Sequence, residues 1–232
     1  MSTFKVIAFD ADDTLWHNER MFSATEGQFA EMLAPYHSGQ WVRDRLFATE
    51  MKNLGHFGYG IKGFILSMIE TAIELTEGRM SGQEIAKILN WGHEMLLAPV
   101  DLIDGVRETV EALAPHYRLM LLTKGDLFDQ ESKLARSGLG DLFTAVEIVS
   151  KKDARTYASI LTRQSIAADE FLMVGNSLKS DVLPALDAGA RAVHIPYELT
   201  WAHEQLDDAA LHGRTYRRLT SIRELPEWLA QM

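Results

Sequence analysis

The sequence predicts an α/β fold, in which a Rossmann-like parallel sheet carries helices on both faces and is joined to a small all-α cap domain. Three observations predict this class. An apolar run over residues 4–9 ends in acidic residues, a helical pattern fills 19–97, and short apolar runs alternate with helical segments from 118 to 194. Strands that alternate with helices need crossover connections, which bury a parallel sheet between two helical layers.

The helical segment that follows the first strand is predicted to form the all-α domain. Its apolar residues recur at three- and four-residue spacing, which is the period of a helix face. Two such faces are Ile61, Phe64, Ile65, Met68, Ile69, Ala72 and Ile73, and then Ile85, Ile88, Leu89, Gly92 and Leu96. We therefore predict a core formed by residues 1–18 and 100–232, with residues 19–99 inserted as a helical cap.

In the core, we predict strands and helices that alternate along the chain. The strands are 4–9, 118–122, 145–149, 171–174 and 190–194, and the helices are 127–136, 154–164 and 178–187. In a parallel sheet of this kind, ligands bind at the carboxyl ends of the strands, near a switch in strand order. We therefore expect the functional site at that edge.

Composition narrows the classes of function. A formal net charge of -10 argues against a nucleic-acid partner, and no apolar run is long enough to span a membrane. There is no cysteine, which excludes disulfides, thiolate metal sites and cysteine nucleophiles. We see no targeting segment and expect a cytoplasmic protein. The acidic net charge is compatible with an anionic small-molecule substrate, because a local cation can make one pocket positive. The sequence leaves the oligomeric state open.

Polar side chains gather where four of the predicted strands end. Carboxylates packed at a strand end repel one another and are costly to desolvate, so a cation or a reaction usually accounts for them. Hard cations such as Mg²⁺ prefer oxygen ligands, and an aspartate can act as a nucleophile. The set indicates metal-assisted phosphoryl transfer, although an acidic turn that caps a helix also fits the first group alone. The four groups are Asp10, Asp12, Asp13 and Thr14; Thr123 and Lys124; Lys151, Lys152 and Asp153; and Gly175, Asn176, Ser177 and Asp181.

Taken in order, these four groups resemble the motifs of the haloacid dehalogenase-like (HAD) hydrolases, which are mostly Mg²⁺-dependent phosphatases. The resemblance covers roughly residues 4–18 and 100–200. It implies that Asp10 is the nucleophile, which forms an aspartyl-phosphate, and that Asp12 is the general acid–base. It also implies that Mg²⁺ is bound by Asp10, the backbone carbonyl of Asp12, Asn176 and Asp181.

The same resemblance assigns the groups that would bind the phosphate of the substrate. Thr123 would hydrogen-bond the phosphoryl oxygens, with Lys124 beside it, and Lys152 would hold the nucleophile and the phosphate together. The residues alone leave other roles open. Thr123 also fits a helix N-cap, Lys151 fits the role of Lys152, and Asp181 fits an exposed position on a helix.

Two positions depart from the pattern of the family. Asp13 stands where family members commonly have glycine. Because aspartate tolerates turn conformations that most residues avoid, we expect the loop to keep its shape. Asn176 stands where the family usually has a metal-binding aspartate. An amide oxygen still ligates Mg²⁺ but brings no formal charge, so we expect weaker metal affinity with the chemistry retained.

The resemblance implies a phosphatase that acts on a small phosphorylated metabolite. Asp12 argues against the dehalogenase branch, which lacks an acid–base aspartate at this position. A phosphomutase of the same fold and a catalytically impaired binding or regulatory protein stay open as alternatives. In the helical cap, residues 55–63 fit a loop between helices that reaches the substrate through Lys62 or His56, and they also fit a plain interhelical turn.

Overall fold

The computed structural model describes residues 4–204, 206, 211 and 213–232. Six strands and nine helices lie in these residues, beside several shorter helical turns. In chain order they are β1 (Val6–Phe9), α1 (Glu19–Met32), α2 (Gly39–Phe57), α3 (Ile61–Leu75), α4 (Gly82–Leu97), α5 (Val106–Leu113), β2 (Arg118–Lys124), α6 (Leu127–Ser137), β3 (Ala145–Val149), α7 (Ala154–Arg163), β4 (Phe171–Gly175), α8 (Leu183–Asp187), β5 (Arg191–His194), β6 (Arg217–Arg218) and α9 (Leu225–Ala230).

The chain divides into two compact units. One contains the described residues of 1–19, 100–124 and 130–232, and the other contains 20–99 and 125–129. The first unit holds the sheet, and the second holds most of the helical segment that follows β1. The role of the second unit as a cap stays a prediction.

The sheet unit has six parallel strands in the order β3-β2-β1-β4-β5-β6. The predicted fold class is therefore confirmed, and the sheet gains a short edge strand, β6, that the sequence pattern does not mark. Strand order runs one way from β1 to β3 and the other way from β4 to β6. The order therefore reverses between β1 and β4, and in sheets of this kind ligands bind at the carboxyl ends of the strands beside such a reversal.

Alternate residues of the central strands pack on opposite sides of the sheet, since successive side chains of a strand point to opposite faces. Ile7 and Phe9 of β1 belong to a core that also contains Val106 of α5 and Leu225 of α9. Val6 and Ala8 belong to a second core, which contains residues of α7 and α8. Both faces of β1 are thus buried, which explains its uninterrupted apolar sequence.

The helical unit has its own apolar core, formed by α1 to α4 and centred on residues such as Phe29, Met68 and Ile88. Helix α4 begins with a capping box, in which Ser81 and Glu84 exchange side-chain to backbone hydrogen bonds. None of the helices in the described part of the chain is long and apolar enough to cross a membrane.

The predicted loop over 55–63 is wrong in extent. Helix α2 continues to Phe57 and α3 starts at Ile61, so only residues 58–60 form the turn. Gly58 and Gly60 adopt positive φ angles of 72° and 105°, which favour glycine. Gly63 is instead a helical residue, which packs against the carbonyl oxygen of Gly58.

The predicted helix over residues 178–187 is α-helical only in its second half. Residues 178–182 form a π-helical turn, in which Val182 N donates to Ser177 O, and only Leu183–Asp187 is α-helical. Pro184 has no N–H to donate to Ser180 O, which accepts a hydrogen bond from Tyr157 Oη at 3.1 Å instead. Such π-helical turns are rare in proteins overall, and those that occur are often found at functional sites.

The two helical glycines that flank the turn should respond in opposite ways to alanine. A Cβ atom on Gly63 would lie 2.8 Å from Gly58 O, so Gly63→Ala should lower the free energy of unfolding by about 1–3 kcal/mol. Gly55 has no atom within 4 Å of the added Cβ, so Gly55→Ala should raise stability by about 0.5–1 kcal/mol. Urea unfolding followed by circular dichroism measures both. Equal changes in the two variants would contradict the packing of this turn.

Candidate active site

The site lies at the carboxyl ends of the central strands. Phe9 pairs with Val174 of β4, and Asp10, the next residue, donates its backbone N–H to Val174 O at 2.9 Å. Phe9 also pairs with Leu121 of β2, two residues before Thr123. The register therefore brings Asp10, Thr123 and Gly175 to three neighbouring strand ends.

A buried lysine joins two buried aspartates at this edge. Lys152 Nζ lies 2.5 Å from Asp10 Oδ1 and 2.7 Å from Asp181 Oδ1, and only 1% of the lysine side chain is exposed. Burial and repulsion from Asp181 raise the pKa of Asp10 to about 7, against the lowering effect of Lys152. Burial acts to lower the pKa of Lys152, but its attraction to the two carboxylates outweighs burial and raises that pKa. Lys151, the sequence alternative, is exposed.

Asp181 is buried rather than exposed, and the π-helical turn places it. Its Oδ2 atom accepts a hydrogen bond from Ser177 N at 2.9 Å, which closes the turn over the end of β4. A Cβ atom on Gly175 would lie 2.2 Å from Asp181 Oδ2. The glycine at position 175 therefore leaves the space that this carboxylate fills.

Thr14 links the first and last groups of the site. Its Oγ1 atom lies 3.1 Å from Asp10 Oδ2 and 3.3 Å from Asn176 Oδ1, and it accepts a hydrogen bond from Asn176 N at 3.1 Å. The backbone carbonyl of Asn176 also lies 2.9 Å from Nε2 of His194. Asn176 is thus held from both sides beside Asp10.

The donors present suit a hard cation. Asp10, Asp181 and the amide oxygen of Asn176 offer oxygen ligands, which is the chemistry that Mg²⁺ and similar ions prefer. Two buried carboxylates share one lysine here, so the side chains of this cluster carry one more negative charge than positive charge when all are ionised. No group of three or more histidine, cysteine, aspartate or glutamate side chains in the described residues is arranged to hold a metal.

Asp12 is held by three nitrogen donors. Its Oδ1 atom accepts from Trp16 Nε1 at 2.7 Å and from Lys133 Nζ at 2.8 Å, and its Oδ2 atom accepts from Gln130 Nε2 at 2.8 Å. Sequence reasoning missed Gln130 and Lys133. The available signal was a pair of polar residues three positions apart on the helix that follows Thr123 and Lys124.

Asp13 has a structural role that the sequence left open. Its backbone φ is 61°, in the left-handed region that favours glycine. Its carboxylate accepts hydrogen bonds from the backbone N–H groups of Asn18 and Glu19, at 2.9 and 3.1 Å, where α1 begins. The helix-capping alternative therefore describes Asp13, while Asp10 and Asp12 face other partners. Burial raises the pKa of Asp13 to about 6.

Thr123 is buried at the end of β2, and its Oγ1 atom lies within hydrogen-bond distance of Lys124 O. It does not cap α6, because Asp126 Oδ1 accepts the backbone N–H of Asp129 in the first turn of that helix. Lys124 is engaged by Glu204, whose Oε1 lies 2.5 Å from the lysine Nζ.

Glu204 is a second residue that sequence reasoning missed. Besides Lys124, it accepts hydrogen bonds from the hydroxyls of Ser177 and Ser180, at 2.5 and 2.6 Å. Burial acts to raise the pKa of Glu204, but the ion pair with Lys124 and the two hydroxyl donors lower it to about 2. Glu204 thereby ties the end of β2 to the π-helical turn.

Lys62 and His56 belong to the helical unit. His56 is exposed in the last turn of α2, and Lys62 pairs with Asp126 at 2.9 Å. Their contact with a substrate stays a prediction.

Comparison with known proteins identifies the family. The family model of haloacid dehalogenase-like hydrolases matches residues 4–189, and the chain belongs to this family. A solved haloacid dehalogenase-like family hydrolase from Xanthomonas campestris is 41% identical, with a TM-score of 0.88, over 99% of this chain and 92% of that one.

A curated relative and two more distant structures carry different activities. The glyceraldehyde 3-phosphate phosphatase of Methanothermobacter thermautotrophicus is 30% identical over 118 residues, which is 49% of this chain and 51% of that protein. The match therefore spans about half of the relative. An L-2-haloacid dehalogenase from Xanthobacter autotrophicus (16% identity, TM-score 0.68, 99% of both chains) shares the fold. A putative β-phosphoglucomutase from Thermotoga maritima also shares the fold, with 18% identity and a TM-score of 0.69 over 99% of this chain and 100% of that one.

The Glu204 contacts predict a stability that depends on pH. A pKa of about 2 in the folded protein, against 4.5 without the contacts, stabilises the fold above pH 4.5 by about 3 kcal/mol and loses this effect as pH falls toward 2. Glu204→Gln should therefore be less stable than the wild type at pH 6, and the difference should shrink between pH 5 and 3. Urea unfolding at several pH values measures it. A difference that is constant with pH would contradict the ion pair.

Proposed function

We propose that this protein is a Mg²⁺-dependent phosphatase of small phosphorylated metabolites, which acts through an aspartyl-phosphate on Asp10. The observation that carries the proposal is the contact of Lys152 Nζ with both Asp10 and Asp181, at 2.5 and 2.7 Å. A nucleophilic carboxylate and a phosphate repel each other, so a buried cation beside the nucleophile is what their approach requires. The phosphatase relative supports a phosphorylated substrate.

The first chemical step breaks the phosphoester bond. A carboxylate oxygen of Asp10 attacks phosphorus, the bond from phosphorus to the leaving oxygen breaks, and Asp12 gives its proton to that oxygen. In the second step Asp12 takes a proton from water, whose oxygen attacks phosphorus. The bond from phosphorus to Asp10 breaks, which releases inorganic phosphate and restores the carboxylate.

Other side chains of the site hold the reactants. Lys152 would pair with the phosphoryl oxygens while it keeps its contact with Asp10, and Thr123 would donate its hydroxyl hydrogen to the same phosphoryl group. Lys124 would add positive charge next to Thr123, with Glu204 fixing its position. In the helical unit, Lys62 and His56 are the proposed contacts to the rest of the substrate.

Asp10, Asp181, Asn176 Oδ1 and the backbone carbonyl of Asp12 would hold Mg²⁺. When bound, the ion neutralises charge between the nucleophile and the phosphate. Lys152 contacts both Asp10 and Asp181, which places these two carboxylates side by side.

Asp12 supports a phosphatase over a dehalogenase. A halide departs as a stable anion and needs no proton, whereas the alkoxide that leaves a phosphomonoester does. Asp12 stands two residues after Asp10, where its carboxyl group can supply that proton.

Phosphate release from a panel of metabolites tests the proposal. The panel should include glyceraldehyde 3-phosphate, other sugar phosphates, nucleotides and phosphorylated acids, each with Mg²⁺ and with EDTA. We expect Mg²⁺-dependent turnover that EDTA abolishes and that Asp10→Asn lowers by more than about 10³-fold, because the amide is a poor nucleophile.

Circular dichroism of Asp10→Asn controls for folding, and a 2-haloacid in the same panel controls for dehalogenation. Full activity of Asp10→Asn would refute the aspartyl-phosphate. Halide release without any phosphate release would make the protein a dehalogenase.

Replacement of Asn176 by aspartate tests its part in metal binding. Asn176→Asp adds a charged ligand, so the Mg²⁺ concentration for half-maximal activity should fall about tenfold. Asn90→Asp is the matched control, since it adds the same charge on the exposed face of α4. Thermal unfolding against Mg²⁺ concentration gives the affinity independently of turnover. An unchanged midpoint in both assays would remove Asn176 from the proposed ligands.

A further inference from the structure

Lys133 is a buried cation that contacts the carboxylate of Asp12, the proposed acid–base. It lies on α6, and 9% of its side chain is exposed. Removing an ammonium group from water costs several kcal/mol in practice, so such a group needs a partner. Its partners include Asp12 Oδ1 at 2.8 Å and Asn18 Oδ1 at 3.3 Å.

Gln130 approaches the same carboxylate from one turn earlier on α6. Its Nε2 atom donates to Asp12 Oδ2 at 2.8 Å and lies 3.2 Å from Lys124 O, and the residue is almost fully buried. Its Oε1 atom is buried with no hydrogen-bond partner in the described part of the chain. The amide therefore leaves its own oxygen without a partner among the described residues while its nitrogen donates to Asp12.

Together these donors prevent rotation of the Asp12 carboxylate. Trp16 and Lys133 hold one oxygen and Gln130 holds the other, so turning the group breaks at least one contact. Lys133 also reaches Asn18, whose backbone N–H donates to Asp13 at 2.9 Å. The loop from Asp12 to Asn18 is therefore anchored on α6.

We propose that Lys133 is a positioning residue, which with Gln130 keeps the Asp12 carboxylate aimed at the leaving-group oxygen of the substrate. This inference rests on the proposed phosphatase function. Correct orientation of a reacting group contributes a large part of catalysis, and a group held by three contacts is oriented before the substrate arrives. Lys133 acts on the reaction only through Asp12.

The choice of leaving group separates this role from a structural one. An alkyl phosphate releases a strongly basic alkoxide, which needs a proton from Asp12, whereas 2,4-dinitrophenyl phosphate releases a weakly basic phenolate, which does not. The ratio kcat/KM reports the first irreversible step, which is the attack by Asp10. A misdirected Asp12 should therefore slow the alkyl substrate and spare the aryl one.

The experiment measures kcat/KM of Lys133→Met with both substrates at saturating Mg²⁺. We expect a loss of about 10- to 100-fold for the alkyl phosphate, carried by kcat, and of less than about threefold for the aryl phosphate. Gln130→Leu should show the same selectivity to a smaller extent, and it serves as the second variant if Lys133→Met does not fold. Arg136→Met, on the same helix but exposed, is the control and should match the wild type.

Each other outcome has a distinct meaning. Equal losses for the two substrates, unchanged values in folded variants, or a gain in activity would overturn the positioning role while the phosphatase function stands. If the wild type hydrolyses neither phosphate ester, the proposed function fails and this inference fails with it.

Discussion

The ammonium group of Lys152, shared by Asp10 and Asp181 inside the protein, is the interaction on which the rest of the site depends. Two buried carboxylates with one buried cation leave a net negative charge in a poorly hydrated place, which is costly to fold. Removing Lys152 would leave two buried carboxylates without their cation, whereas removing one aspartate would leave a balanced pair. The three residues follow three different strands, so the strand order itself must be correct before the contact can form.

A lysine that pairs with a carboxylate occurs three times at this end of the sheet. Lys124 pairs with Glu204, Lys133 pairs with Asp12, and Lys152 serves two aspartates. An acidic protein with a net charge of -10 thus places three paired lysines at this end of the sheet, and one of them contacts the proposed nucleophile. Fixed, paired charges need little rearrangement when an anionic substrate arrives, which is the condition under which electrostatic stabilisation of a reaction is strongest.

Most of the sheet unit was predictable because a buried parallel strand has a continuous apolar sequence. Strand β3 matches its predicted bounds, and β1 begins two residues late. Helix ends were less predictable, because α2 and α3 extend into the expected loop, so His56 and Lys62 are helical residues. Glycine signals a turn in sequence, but a helix also accepts glycine where a neighbouring backbone approaches, as at Gly63.

The sequence by itself determined the fold class, the family resemblance and the order of the four polar groups, because each is written in local spacing. The tertiary structure decided which partners each carboxylate contacts. Asp10, Asp12 and Asp13 are nearly adjacent, yet one meets Lys152, one meets Lys133 and Gln130, and one caps α1. Their partners lie up to 142 residues away along the chain. Side-chain partners at such separations are set by strand order and packing, which no local pattern records.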